Sequence, residues 1–175
     1  MRTSNDQLLE NARSERGHVL GERVRVVSPQ DRGLPNPPLQ VLVVEDDAAI
    51  RDLVTVALLD EGYQVLSAAN GADALVRVQQ YSPDVILLDV QMPVMDGPTF
   101  AERYRSLPGP HAPIVVFTAG GGAQDWAKRI QATAYVDKPV DLWALADLLR
   151  RCATGRRRRT RHQFEPNARA RSRTC

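Results

Sequence analysis

The stretch Val85-Ile86-Leu87-Leu88-Asp89 decides the fold. Four consecutive large apolar residues without polar alternation read as a parallel strand buried on both faces. The run closes on an acid, and in open α/β sheets ligands gather at the carboxyl ends of the strands. Working outward, Val41-Leu42-Val43-Val44 closes in the same way on Glu45-Asp46-Asp47. A shorter apolar stretch, Ala134-Tyr135-Val136, is followed by Lys138-Pro139. Set side by side, these strands deliver three carboxylates and one ammonium to a single rim, a place suited to a divalent cation and a phosphoryl group.

Strand and helix patterns alternate between residues 39 and 153. Leu39–Val44, Tyr63–Ser67, Asp84–Leu88, Pro113–Phe117 and Ala134–Val136 are expected as five strands. A helix starting near Asp47 is expected to turn Ile50, Leu53, Val54, Ala57 and Leu58 inward and to end at Gly62. Asn70 can cap a second helix with Ala72, Leu75 and Val76 turned inward, and Pro98 suits the first position of a third. Ala123–Gln131 reads as a short fourth helix, and Leu142, Leu145, Ala146 and Leu149 mark a fifth. Five strand–helix units in this length predict a doubly wound α/β domain.

The remaining sequence divides in two. Residues 1–38 end in a proline-rich stretch and are expected to be a disordered extension and linker. Residues 154–175 are arginine-rich, nearly free of large apolar side chains, and expected to be a disordered tail. The formal net charge of +2 conceals a strong asymmetry. Residues 39–149 hold 15 acids against 7 bases, whereas residues 150–175 hold 10 arginines against Glu165. An acidic domain with a basic tail differs from a uniformly basic nucleic-acid binder. No apolar stretch approaches the ~20 residues of a membrane helix, and the N-terminus is charged where a signal peptide is apolar. Cys152 and Cys175 form no disulfide or metal spacing, so a cytoplasmic location is expected.

A hard cation such as Mg²⁺ takes oxygen ligands, with one or two carboxylates and the rest from water and phosphate. Glu45, Asp46 and Asp89 match that demand. A carboxylate also acts as a nucleophile toward phosphorus, giving an aspartyl phosphate. The reaction asks the protein mainly for positioning and charge compensation, which Lys138 and the Thr118 hydroxyl are placed to give. Each residue has a plainer reading alone: acids at a helix start match its dipole, Thr118 ends a strand, Lys138 is a solvated charge, Tyr135 a core or edge aromatic. Their joint order carries the case: acids after the first strand, Asp after the third, Thr after the fourth, Lys-Pro after the fifth.

The runs VLVVEDD (41–47), VILLDVQMPVMDG (85–97), IVVFTA (114–119) and YVDKP (135–139) together resemble the receiver domain of bacterial two-component response regulators, of the stand-alone, chemotaxis-regulator-like kind. The resemblance covers about residues 39–153. It implies a flavodoxin-like five-stranded parallel sheet of order 2-1-3-4-5 with five helices. It implies Asp89 as phosphoacceptor from a histidine kinase or histidine phosphotransfer protein, Asp46 as direct Mg²⁺ ligand and Glu45 as its water-bridged partner. The backbone carbonyl of Gln91 is implied on the metal, Lys138 as the phosphate-pairing lysine, and Thr118 with Tyr135 as a coupled switch. Output then passes to a downstream protein target through the fourth helix, fifth strand and fifth helix.

The chain departs from that family at Gly120-Gly121-Gly122, which weaken helix initiation and predict a short fourth helix. Gln91 and Gly120 flank the acceptor and are expected to tune phosphate lifetime. A second class of function is a phosphorylation-regulated nucleic-acid binder acting through Arg156–Arg159 and Arg161. Phe164 is the only aromatic there for base stacking, and the simpler reading is a solvated tail. A third class is a phosphatase or phosphotransferase with an Asp nucleophile. Such enzymes place a second acid two residues on, where Gln91 stands, so no enzyme activity beyond self-limited phosphotransfer is expected.

Overall fold

The computed structural model describes residues 37–163. Five strands are present, β1 (Gln40–Val44), β2 (Gln64–Ala68), β3 (Val85–Leu88), β4 (Ile114–Thr118) and β5 (Ala134–Asp137). Five helices alternate with them, α1 (Ala48–Asp60), α2 (Gly71–Gln80), α3 (Gly97–Ser106), α4 (Ala123–Arg129) and α5 (Leu142–Gln163). The strands form one sheet in the order β2-β1-β3-β4-β5, with every neighbouring pair parallel. This is the expected flavodoxin-like sheet.

The unbroken apolar runs are explained by two cores, one on each face. Successive side chains in a strand point to opposite sides. Leu42, Val44, Ile86, Leu88 and Val116 pack with Ala74, Phe100, Ala101 and Ala127 of α2, α3 and α4. Val41, Val43, Val85, Leu87, Val115 and Phe117 pack with Val54, Leu58, Leu145 and Leu149 of α1 and α5. Local chemistry sets the helix starts. Asp47 accepts from the N–H groups of Ala49 and Ile50, Asn70 from Ala72 and Asp73, and Asp96 from Thr99. Gly62 leaves α1 with φ +81°.

Two inward assignments are corrected. Leu53 and Val76 are exposed. At 100° per residue the buried stripe of α1 centres on Val54, which puts Leu53 on its flank; Val76 falls opposite the stripe made by Ala74, Leu75 and Val78. Helix α5 continues through Gln163, past residue 153. Arginine is a good helix former, and lengthening a helix already anchored by packing needs no new nucleus. The expectations for residues 1–36 and 164–175 lie outside the described residues. Among the described residues no helix is long and apolar enough to cross a membrane.

Candidate functional site

Three strand ends converge on one rim. The Glu45 N–H donates to the Ala68 carbonyl at 3.1 Å, the Asp89 N–H to Val44 at 2.9 Å, and the Lys138 N–H to Thr118 at 2.8 Å. Sheet pairing therefore continues one residue past the strands and fixes where each functional residue begins. Glu45 and Asp89 are buried despite their charge, at 1% and 6% exposure, while Asp46 faces solvent.

Lys138 answers the buried charge. Its Nζ lies 2.6 Å from Glu45 Oε2 and 2.9 Å from Asp89 Oδ2, and 4.6 Å from the centre of the Phe117 ring. The other Asp89 oxygen, Oδ1, accepts from the N–H groups of Val90 at 2.6 Å and Gln91 at 3.3 Å. The Asp89 carboxylate is thus oriented by backbone on one side and by an ammonium on the other. Burial, opposed by the Lys138 hydrogen bond and aided by the nearby Asp89 charge, pushes the Glu45 carboxyl up to about 7. For Lys138 burial pulls downward, but its hydrogen bonds to Glu45 and Asp89 prevail and raise it above the ordinary lysine value.

A carboxylate oxygen from each of Glu45, Asp46 and Asp89 lies within 4.8 Å of the others. An all-oxygen set this close, with one member held near 7, is short of positive charge and fits a hard divalent cation. Thr118 is buried at the end of β4, in register with Asp137. Tyr135 pairs in register with Val116 but its side chain is exposed, so it stands on the surface beside α4.

Three residues of the site carry only weak signals in the sequence. Arg51 Nη1 donates to the carbonyls of Glu45 at 2.8 Å and Asp46 at 3.2 Å, clasping the acidic turn from α1. Gly97 lies under Asp89, where an added Cβ would sit 2.5 Å from the Asp89 carbonyl oxygen and 2.9 Å from Val90 Cα. Asp137 Oδ1 accepts from the Ala123 N–H at 3.3 Å. The first basic residue after an acidic run, a glycine after an Asp, and an Asp before a lysine are all common on surfaces, and only Gly97 in an Asp-Gly turn hints at close packing.

The family model for the response regulator receiver domain matches residues 41–150. The chain belongs to the response-regulator receiver family. It is 37% identical over 116 residues to response regulator MprA of Mycobacterium sp. (strain KMS), covering 65% of this chain and 49% of that one. It is 33% identical over 107 residues to the probable transcriptional regulatory protein TcrX of Mycobacterium tuberculosis, covering 60% of this chain and 45% of that one. The chain spans about half the length of these relatives. Among solved structures it is similar to a CheY-like receiver domain protein from Methanospirillum hungatei, with 25% identity, a TM-score of 0.63, and coverage of 70% of this chain and 98% of that one. Chemotaxis protein CheY4 of Vibrio cholerae matches with 33% identity and a TM-score of 0.57, over 66% of this chain and 98% of that one. Receiver domains of two-component systems bind Mg²⁺ at an acidic pocket and interact with histidine kinases and downstream effectors, and Glu45, Asp46 and Asp89 form such a pocket in this receiver.

Proposed function

We propose that Asp89 of this receiver accepts a phosphoryl group from a phosphohistidine donor, on a histidine kinase or a histidine phosphotransfer protein, and that the resulting aspartyl phosphate alters the face made by α4, β5 and α5. One observation carries the reading: Lys138 bridges the buried carboxylates of Glu45 and Asp89 beside Asp46 at the carboxyl ends of adjacent strands.

An Asp89 carboxylate oxygen attacks phosphorus, forming the P–O bond. The P–N bond breaks with its electron pair kept by the donor imidazole. Asp46 and Asp89, with the Gln91 carbonyl and a water held by Glu45, would hold Mg²⁺, which supplies charge compensation to the transferring group. The Val90 and Gln91 N–H groups keep the Asp89 carboxylate oriented. The Lys138 ammonium, now shared between two carboxylates, is placed to pair with phosphoryl oxygens as they arrive.

Phosphorylation adds roughly two negative charges at the rim. Drawing the Thr118 hydroxyl toward them empties space at the end of β4, into which the exposed Tyr135 ring swings. The α4-β5-α5 face, which also exposes Trp143 on α5, then changes for a downstream protein target. Catalysis ends with acceptance and hydrolysis of the phosphoryl group, because Gln91 stands where a general acid would be needed for turnover of an external substrate.

The test is intact mass after treatment with acetyl phosphate and Mg²⁺. Wild type gains one phosphoryl group and Asp89→Asn gains none; equal gain, or no gain in wild type, removes Asp89 from the role.

A further inference from the structure

Helix α4 has seven residues and buries only Ala123 and Ala127 along its span. Two turns of helix are marginal alone and depend on contacts made elsewhere. Its entry makes matters worse. Gly120, Gly121 and Gly122 have φ of +79°, +78° and +84°, the left-handed region in which glycine is at home and from which it loses most entropy. Gly122 occupies the capping position and offers no side chain to the first N–H groups.

The missing cap comes from another strand. Asp137, the last residue of β5, accepts from the Ala123 N–H through Oδ1 at 3.3 Å. A carboxylate there gives a partner to an otherwise orphaned donor and meets the positive end of the helix. The far end of α4 is tied from α3, where Arg105 Nη2 donates to the Gln131 carbonyl at 3.0 Å.

Asp137 also sits between the two residues that would register a phosphoryl group. It is in register with Thr118 across the strand pair and immediately precedes Lys138, whose N–H bonds the Thr118 carbonyl at 2.8 Å. Strand alternation puts Asp137 on the same side of β5 as Tyr135, two residues back. A shift at the ends of β4 and β5 must move this carboxylate, and with it the first turn of α4.

We infer that Asp137 is a positioning residue: it latches α4 to β5 and passes displacement of Thr118 and Lys138 on to α4. The transmission half rests on the function proposed above; the latch itself does not.

Hydrogen–deuterium exchange read by mass spectrometry on the full chain separates the two. Without phosphodonor, Asp137→Ala should raise exchange of the 123–130 amides about fivefold, the scale of a lost helix cap, while β1 and β3 stay protected. With acetyl phosphate and Mg²⁺, wild type should change its exchange over 123–130, whereas Asp137→Ala should show no such change although Asp89 gains its phosphoryl group. Asp137→Asn keeps an acceptor oxygen without the charge and should fall between the two. Should Asp137→Ala lose protection in every strand, Asp137→Asn supplies both comparisons against wild type. Unchanged α4 exchange in the donor-free variants, or a response of Asp137→Ala to phosphodonor equal to that of wild type, overturns the inference. If wild-type Asp89 takes no phosphoryl group, the phosphoacceptor reading falls, and the donor-free arm alone decides the latch.

Discussion

The Cα of Gly97 faces the Asp89 backbone so closely that an added methyl carbon would lie 2.5 Å from the Asp89 carbonyl oxygen. The Gly97 N–H also donates to the Val90 carbonyl at 3.0 Å, so the first turn of α3 is docked directly beneath Asp89. The obstructing atoms are backbone and cannot rotate away, so any side chain here must push α3 from β3.

Gly97→Ala is therefore expected to destabilise the domain by about 2 kcal/mol, in the range for overpacking a close contact. It should also slow acetyl phosphate labelling of Asp89, because the displaced segment carries Val90 and Gln91. Urea unfolding and labelling rate measured together check this, and a variant with wild-type values for both refutes the contact.

Lys138 is the cation that the two buried carboxylates have in the protein itself. Lys138→Met removes it while keeping most of the side-chain volume, leaving Glu45 and Asp89 uncompensated. A loss on the order of 3 kcal/mol at neutral pH is expected from breaking a buried ionic pair. Millimolar Mg²⁺ should recover part of that loss in the variant, since a divalent ion replaces the missing charge. Thermal unfolding with and without Mg²⁺ measures it; the same melting shift for variant and wild type would separate Lys138 from the metal pocket.

Much of this was legible in the sequence. Parallel strands buried on both faces announce themselves as apolar runs, and their ends placed Glu45, Asp46, Asp89, Thr118 and Lys138 at one rim in advance. Gly120-Gly121-Gly122 foretold the short α4, which ends at Arg129. Other relations were not legible, because they depend on how far a side chain reaches across the fold. Arg51 finds the carbonyls of Glu45 and Asp46, and Asp137 finds the Ala123 N–H fourteen residues back, yet both residue types are ordinary on any acidic surface. Leu53 and Val76 misled because apolar residues beside a buried stripe look periodic until the stripe's centre is fixed.

Glu45 gives a pH signature. Its carboxyl is held near 7 in the fold, against an ordinary value of 4.5, so between those limits the folded chain keeps a proton that the unfolded chain has released. Stability then falls as pH rises through that window. In the absence of divalent cation, urea midpoints are expected to drop from pH 5 to pH 7.5, and Glu45→Gln should flatten the decline. An identical slope in the variant would assign the pH dependence to another group.

Arg51 supports the acidic turn without contributing a ligand. One guanidinium nitrogen holds the carbonyls of two successive residues, Glu45 and Asp46, at 2.8 and 3.2 Å, which fixes the peptide between the carboxylates. Groups that orient ligands in this way commonly change metal affinity by one to two decades. Arg51→Gln is expected to weaken Mg²⁺ binding about tenfold by isothermal titration, with urea stability altered far less because the side chain is only partly buried. Arg51→Lys keeps the charge but not the rigid guanidinium geometry, and should recover only part of the affinity. Full recovery by lysine would show that charge alone matters, and unchanged affinity in both variants would release Arg51 from the site.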